Sequence, residues 1–336
     1  MKSAECKQLH KWKRFVQIFN NLKIYFLQKE SFWENLKLSK RTFAQMHKSG
    51  FVNIIGKPNV GKSTLMNKLI KQDLSIVTHK AQTTRHRIKG IVSAEDYQIV
   101  FSDTPGILKP AYKLHHKMME TIDHSFTDAD LVILVVEVGE KKTDEEVLKK
   151  IKKLNVPLFV VINKIDLSDQ EKLEVIYQYW KEQLKPAEII PISALEDFNL
   201  EILLKKIIEY LPKGPAYFAK DEMSDRNERF FVTEIIREKI LLNYKKEIPY
   251  STEVVINEFK DSKDIARIYA IIYVMRESQK AIILGHKGEA IKRIGIQSRK
   301  KIEELLGKQV HLELTVKISD NWREDDKQLK RFGYGE

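Results

Sequence analysis

The sequence predicts an α/β chain in which a doubly wound, mostly parallel sheet is followed by a smaller α+β module. Three observations carry this. Short apolar runs such as LVILVVEV (131–138) alternate with amphipathic helical patterns, as strands buried on both faces between crossover helices require. Pro212, Gly214 and Pro215, followed by a polar stretch through Asp221, Ser224 and Asp225, then break the alternation. Beyond them the order becomes helix, two strands, short helix, turn, helix and strand.

Taken in order, strands are expected at 51–55, 88–92, 97–102, 131–138, 158–162 and 188–192, and helices at 62–70, 113–126, 144–153, 171–184 and 200–210. The second module is expected to hold a helix at 227–243 and strands at 252–259 and 266–275. A short helix ending near Leu284, a helix at 289–306, a strand at 310–318 and a short closing helix complete it. The chain therefore divides into a basic extension (1–46), a nucleotide domain (47–212), a linker (213–228), a second domain (229–320) and a C-terminal tail (321–336).

Composition narrows the function. Among 336 residues there is one cysteine, Cys6, which excludes a disulfide-stapled scaffold and suits a reducing compartment. The strongest apolar run spans 131–136 before Glu137, far short of the roughly 20 residues a membrane span needs. The formal net charge of +12 is unevenly spread: +7 lies in 1–46, none in 47–228, +5 in 229–320 and none beyond. A neutral middle suits a catalytic or switching module, and a basic flank suits a polyanion, either nucleic acid or an anionic membrane surface.

Directly after the first strand stands GKPNVGKST, comprising Gly56, Lys57, Pro58, Asn59, Val60, Gly61, Lys62, Ser63 and Thr64. This fits the G-x-x-x-x-G-K-[ST] phosphate loop in its strand–loop–helix setting. Its glycines let successive N–H groups turn toward phosphates, the helix N-terminus and Lys62 supply positive charge, and Ser63 offers a hydroxyl to Mg²⁺. Asp103-Thr104-Pro105-Gly106 ends the third strand, where Asp103 can reach the metal through water and the Gly106 N–H can follow the γ-phosphate. Asn163-Lys164-Ile165-Asp166 closes the strand at 158–162. The Asp166 carboxylate can accept both guanine N1–H and the exocyclic amine, a pair adenine cannot offer. Asn163 and Lys164 would brace the loops, and Ser193-Ala194 would present a backbone N–H to guanine O6. In Gln82-Thr83-Thr84-Arg85, Thr84 is favoured over Thr83 as the switch threonine that meets Mg²⁺ and senses the γ-phosphate.

In this order the elements resemble the translation-factor-related GTPases, so the first domain is expected to be a P-loop GTPase. Lys62 and Thr84 are its expected catalytic groups. Ile107 follows Gly106, leaving no glutamine to position water, so slow intrinsic hydrolysis is expected. Asn59 matches the asparagine of the hydrophobic-substituted class, and the resemblance implies that it holds K⁺ against the phosphates.

Gly285-His286-Lys287-Gly288 places G-x-x-G between two helices, with Lys292 and Arg293 following. The surrounding helix–strand–strand–helix–turn–helix–strand order predicts a type II KH domain that grips single-stranded nucleic acid. GKPNVGKSTLMNKL, KAQTTRHRIKGI, DTPGILKP, NKID and AIILGHKGEAIKRIG together resemble the bacterial Era family of ribosome-assembly GTPases over about 47–336. That resemblance implies a cytoplasmic monomer that binds GTP and GDP and grips the 3′ end of 16S ribosomal RNA during 30S subunit maturation. It also implies peripheral contact with the inner face of the cell membrane. The first 46 residues lie outside it. Met46 stands about where chains of this family begin, so a start assigned too far upstream is one reading of the extension. Another is an amphipathic helix, with Trp12, Phe15, Val16, Phe19, Leu22 and Phe26 at helical spacing, and a targeting peptide is a third. The competing function is a membrane-associated GTPase whose basic module binds anionic lipid and not RNA.

Overall fold

The computed structural model describes residues 47–139 and 145–335. The readings of the N-terminal extension, and the start of the helix expected at 144–153, lie outside the described residues. The first unit runs β1 (Lys48–Ile55), α1 (Lys62–Ile70), β2 (Ile88–Ser93), β3 (Tyr97–Asp103), α2 (Lys113–Thr127), β4 (Leu131–Glu137), α3 (Glu145–Lys152), β5 (Leu158–Asn163), α4 (Gln170–Leu184), β6 (Glu188–Pro191) and α5 (Leu200–Tyr210). Its sheet has the order β2-β3-β1-β4-β5-β6. All neighbours pair in parallel except β2, which runs antiparallel to β3.

The apolar runs are explained by helices on both faces. In β4, Leu131, Ile133 and Val135 join Val52, Ile54 and Leu65 in one core, while Val132, Leu134 and Val136 join Ile55, Ile122 and Trp180 in the other. Neither face of the strand can carry a polar side chain without burying it.

The second unit comprises α6 (Glu228–Asn243), α7 (Ile248–Ser251), β7 (Glu253–Asp261), β8 (Ile265–Val274), α8 (Glu277–Leu284), α9 (Glu289–Leu306), β9 (Gln309–Ile318) and α10 (Asp326–Arg331). β8 pairs antiparallel with β7 and parallel with β9. Val232, Ile236 and Ile240 of α6, with Ile283, Ile294 and Ile302, cover one face of this sheet at Ile268, Ala270 and Ile272. The other face meets a fourth core: Tyr273 and Met275 pack with Trp322, Leu329, Phe332 and Tyr334, and with Leu114 and Met118 of α2. This core is shared between the two units.

Two segments differ in character from their sequence reading. Residues 321–335, read as a tail, wedge between the sheet and α2, because their aromatics bury more apolar surface there than in water. Trp322 is fully buried and its indole N–H donates to the Ser251 carbonyl at 3.0 Å. Within the expected linker (213–228), residues 213–226 form a strap along the edge of the first sheet. Gly214 N–H donates to His47 O at 3.1 Å, Ile91 N–H to Met223 O at 2.9 Å and Ser224 Oγ to Lys89 O at 2.6 Å. An edge strand leaves backbone groups unpaired, and the strap's polar backbone satisfies them. Buried Gln98 fastens it: Oε1 accepts from the Tyr217 and Phe218 N–H groups, and Nε2 donates to Phe218 O and Ser93 Oγ.

Among the described residues no helix is long and apolar enough to cross a membrane. Gln98→Leu removes both acceptor contacts and should destabilise the chain by about 1–3 kcal/mol, since two backbone donors lose their partner. Urea unfolding of the variant beside the wild type measures this.

Candidate nucleotide site and basic loop

Parallel pairing brings the loops after β1, β3, β5 and β6 to one edge of the sheet, the usual ligand edge of such folds. After β1 the chain turns at Gly56 (φ 149°), where a Cβ would lie 2.3 Å from the Val135 carbonyl oxygen. Gly61 (φ 97°) caps α1 at its N-terminus, and a Cβ there would meet Asn163 Nδ2 at 2.2 Å. Only glycine fits either place. Lys62 folds back over the loop, Nζ donating to the carbonyls of Gly56 at 3.1 Å and Lys57 at 2.9 Å. Asn59 stands at φ 66° and its Nδ2 donates to the His79 carbonyl at 2.9 Å, tying the phosphate loop to the segment before the expected switch.

Three side-chain oxygens converge beside this loop. Ser63 Oγ donates to Asp103 Oδ2 at 2.7 Å, Thr84 Oγ1 donates to the same oxygen at 3.2 Å, and the two hydroxyls lie 3.0 Å apart. Asp103 is fully buried, and its Oδ1 has no hydrogen-bond partner. Burial pushes its carboxyl above the usual value, opposed by the Lys62 charge and by the Ser63, Ser75 and Thr84 hydroxyls. An orphaned carboxylate oxygen next to two hydroxyls suits a hard, oxygen-seeking cation such as Mg²⁺, whose remaining ligands would be water and phosphate. Thr83, the other candidate, turns away: its hydroxyl donates to Lys80 O at 2.5 Å and lies 2.8 Å from Thr78 Oγ1.

Thr104 and Pro105 of the second motif are structural. Thr104 is buried with its hydroxyl on Ile54 O at 2.8 Å, and Pro105 is buried. Gly106 presses on the phosphate loop, where a Cβ would fall 2.7 Å from Pro58 N. Ile107 joins the apolar core with Ile55 and Leu134, so its side chain offers nothing to a water molecule.

On the far side of the cleft, Asn163 holds two loops at once. Its Nδ2 donates to Val60 O at 2.8 Å and its Oδ1 accepts from Ala194 N–H at 2.9 Å. Asp166 Oδ1 accepts from Ser193 Oγ at 2.6 Å, and Lys164, at φ 62°, pairs with Glu137 at 2.6 Å. The cleft has a volume of about 730 Å³ and is lined by Asn59, Lys62, Ser63, Thr84, Asn163 and Asp166 among others, within the size range of small-molecule sites. Leu242 of α6 also lines it. No sequence signal pointed to Leu242, because its place depends on how the two units dock.

In the second unit, Gly285 (φ 70°) and Gly288 (φ 80°) bound a single 3₁₀ turn, and Gly288 caps α9. A Cβ on Gly285 would stand 2.6 Å from Ala290 Cβ. His286, Lys287, Lys292 and Arg293 are exposed around this turn. A shallow concavity of about 340 Å³ beside it is lined by Glu289, Lys292, Arg293, Ile296 and Gln297. Lys292 and Arg293 beside Ile296, in a concavity that also holds acidic Glu289, offer a nucleic-acid backbone positive charge and a base one apolar contact.

Comparison with known proteins matches both units. A family model described as a 50S ribosome-binding GTPase matches residues 51–164, and a KH domain model matches 247–323. The chain is 45% identical over 295 residues to GTPase Era of Syntrophus aciditrophicus, covering 87% of this chain and 96% of that one. It is 44% identical over 294 residues to GTPase Era of Clostridium kluyveri, covering 86% and 100%. The crystal structure of Era in complex with MgGDPNP and nucleotides 1506–1542 of 16S ribosomal RNA is similar with a TM-score of 0.83 at 40% identity, over 86% of this chain and all of that one. A variant of Aquifex aeolicus Era bound to GDP·AlF₄⁻ is similar with a TM-score of 0.82 at 41% identity, with the same coverage.

Asn163→Ala should leave the Val60 carbonyl and the Ala194 N–H unpaired, costing about 1–3 kcal/mol of loop order. Titration with a fluorescent guanine nucleotide should show binding weakened by about 10-fold or more; unchanged affinity would remove the brace from the account.

Proposed function

Because this chain belongs to the Era family of GTPases, we propose that it is a GTP-driven switch that grips RNA near the 3′ end of 16S ribosomal RNA through its KH domain and acts in 30S subunit assembly. The observation that carries this reading is the meeting of Ser63, Thr84 and Asp103 beside Lys62, in a chain that also exposes a basic G-x-x-G turn. The similar Era structure holds both MgGDPNP and a 16S fragment.

In this reading the phosphate loop from Gly56 to Thr64 wraps the phosphates, and Lys62 gives up its loop carbonyls to meet them. Ser63 and Thr84 would hold Mg²⁺ directly and Asp103 would hold it through water, and the bound ion would supply positive charge against the phosphates. The Gly106 N–H follows the γ-phosphate. Asp166 reads guanine with Lys164 over the base, and the Ser193-Ala194 turn meets O6 with a backbone N–H, for which Ala194 would have to turn from Asn163 Oδ1. With Ile107 in the core, intrinsic hydrolysis is slow, and Asn59 offers K⁺ its amide oxygen. Gly285, His286, Lys287 and Gly288 contact the RNA backbone, and Lys292 and Arg293 neutralise its phosphates. The protein acts as a cytoplasmic monomer.

Lys62→Ala should abolish nucleotide binding, read by the same fluorescent titration. Asp166→Asn should move preference from GTP to XTP, and retained GTP preference would refute the base-reading role. A variant with Asp at both His286 and Lys287 should keep GTP hydrolysis and lose affinity for a 16S 3′-end oligonucleotide. If RNA affinity persists and binding to anionic vesicles is lost instead, the basic module binds lipid.

A further inference from the structure

Thr84 is gripped on both sides by the KH half of the molecule. Upstream, Arg237 of α6 donates to the carbonyls of Thr83 and, at 3.4 Å, Gln82. Downstream, the side chain of Arg85 leaves the switch segment for the other unit, donating to Thr252 O at 2.8 Å, Pro249 O at 3.0 Å and Glu253 Oε2 at 3.0 Å. Tyr334 donates its hydroxyl to the same Glu253 oxygen at 2.7 Å. Lys80 Nζ reaches the carbonyls of Leu241 and Tyr244 at the end of α6. Both arginines are almost fully buried.

Arg237 is itself held in a fixed pose. Glu234, one helical turn earlier, takes Nε at 2.8 Å and Nη2 at 2.6 Å. Burial alone would raise the Glu234 carboxyl, and the Arg237 guanidinium more than offsets this and holds it below the usual value. The guanidinium is thus a rigid fork whose remaining donors point at the peptides just before Thr84. A buried guanidinium cannot leave those carbonyls without leaving N–H donors unpaired away from water. Gln82 sits at φ 58°, a conformation that persists in a non-glycine residue only where its surroundings over-determine it.

We propose that Arg237, oriented by Glu234, is a positioning residue for GTP hydrolysis: it fixes the Gln82 and Thr83 peptides so that Thr84 lies against Ser63 and Asp103, which makes turnover conditional on docking of the KH half. The inference rests on the assignment of Thr84 to the metal and γ-phosphate. Misplacing a reacting group by about 1 Å can cost two orders of magnitude in rate, so an inserted side chain that fixes two peptides has a large effect without touching nucleotide.

The test uses the full chain and three variants: Thr84→Ala, Arg237→Lys, and the double variant Glu234→Gln with Arg237→Gln, which leaves no unpaired buried charge. Single-turnover hydrolysis, KM for GTP, GDP affinity and melting temperature are measured for each. The double variant should lose about 10-fold or more in kcat while GDP affinity and KM stay within about twofold. Arg237→Lys, which can still reach a carbonyl, should lose less. Unchanged kcat in the folded double variant overturns the proposal. So does a kcat loss matched by equal weakening of GDP binding, which marks a structural role only. If the double variant does not fold, Arg237→Lys decides: reduced kcat with unchanged GDP affinity supports the proposal, and wild-type kcat overturns it. Should Thr84→Ala hydrolyse GTP like the wild type, it is the assignment of Thr84 that fails.

Discussion

Parallel pairing of β1, β3, β4, β5 and β6 is the constraint on which the nucleotide half depends. Strands that run the same way end at the same edge, so four loops distant in sequence meet there. Parallel pairing also demands crossover helices on both faces, and therefore apolar side chains on both faces of β4 and β5. The buried sheet fixes where Asp103 and Asn163 stand. Asp103 closes β3 and Asn163 closes β5. From these rigid positions each side chain reaches a second loop, and the cleft is built by cross-ties between loops and not by any loop alone.

The join between the halves follows a different rule. Its apolar part, around Trp322, Phe332, Leu114 and Met118, gives adhesion with little direction. Direction comes from buried ions. Arg85 crosses the join to Glu253, and Arg237, paired within α6 to Glu234, crosses it to the Gln82 and Thr83 carbonyls, where water cannot replace a lost partner. Such pairs add little to stability relative to apolar residues, yet are costly to break. Burial pushes the Glu253 carboxyl up, and Arg85 and the Tyr334 hydroxyl oppose this. The halves therefore have few low-energy ways to meet.

The legibility of the sequence follows the range of the physics involved. The phosphate loop, Asp103–Gly106 and the Asn163–Asp166 turn are local: residue type, spacing and a preceding strand suffice to read them. Thr83 and Thr84 are alike in the sequence, and only the fold separates them: their hydroxyls point to different partners. What the sequence did not disclose depends on docking. Arg237 and Glu234 look like an ordinary solvated pair on a helix, and Leu242 looks like a surface leucine. Gln98 reads as one polar residue in a strand. Residues 213–226 and 321–335 are polar enough to resemble loose connections, and only their backbone partners and aromatic contacts show otherwise.

The strap held by Gln98 has one more consequence. With residues 213–226 bonded along β2 and β3, little free chain remains before α6 begins at Glu228. A short tether confines the KH half to a small volume around the switch, at an effective concentration on the order of millimolar. Contacts too weak to hold two separate proteins together, such as the exposed Lys113–Asp326 pair, can then be occupied most of the time. Confinement thus lets exposed pairs of this kind add to a join whose apolar core and buried arginines already set how the halves meet.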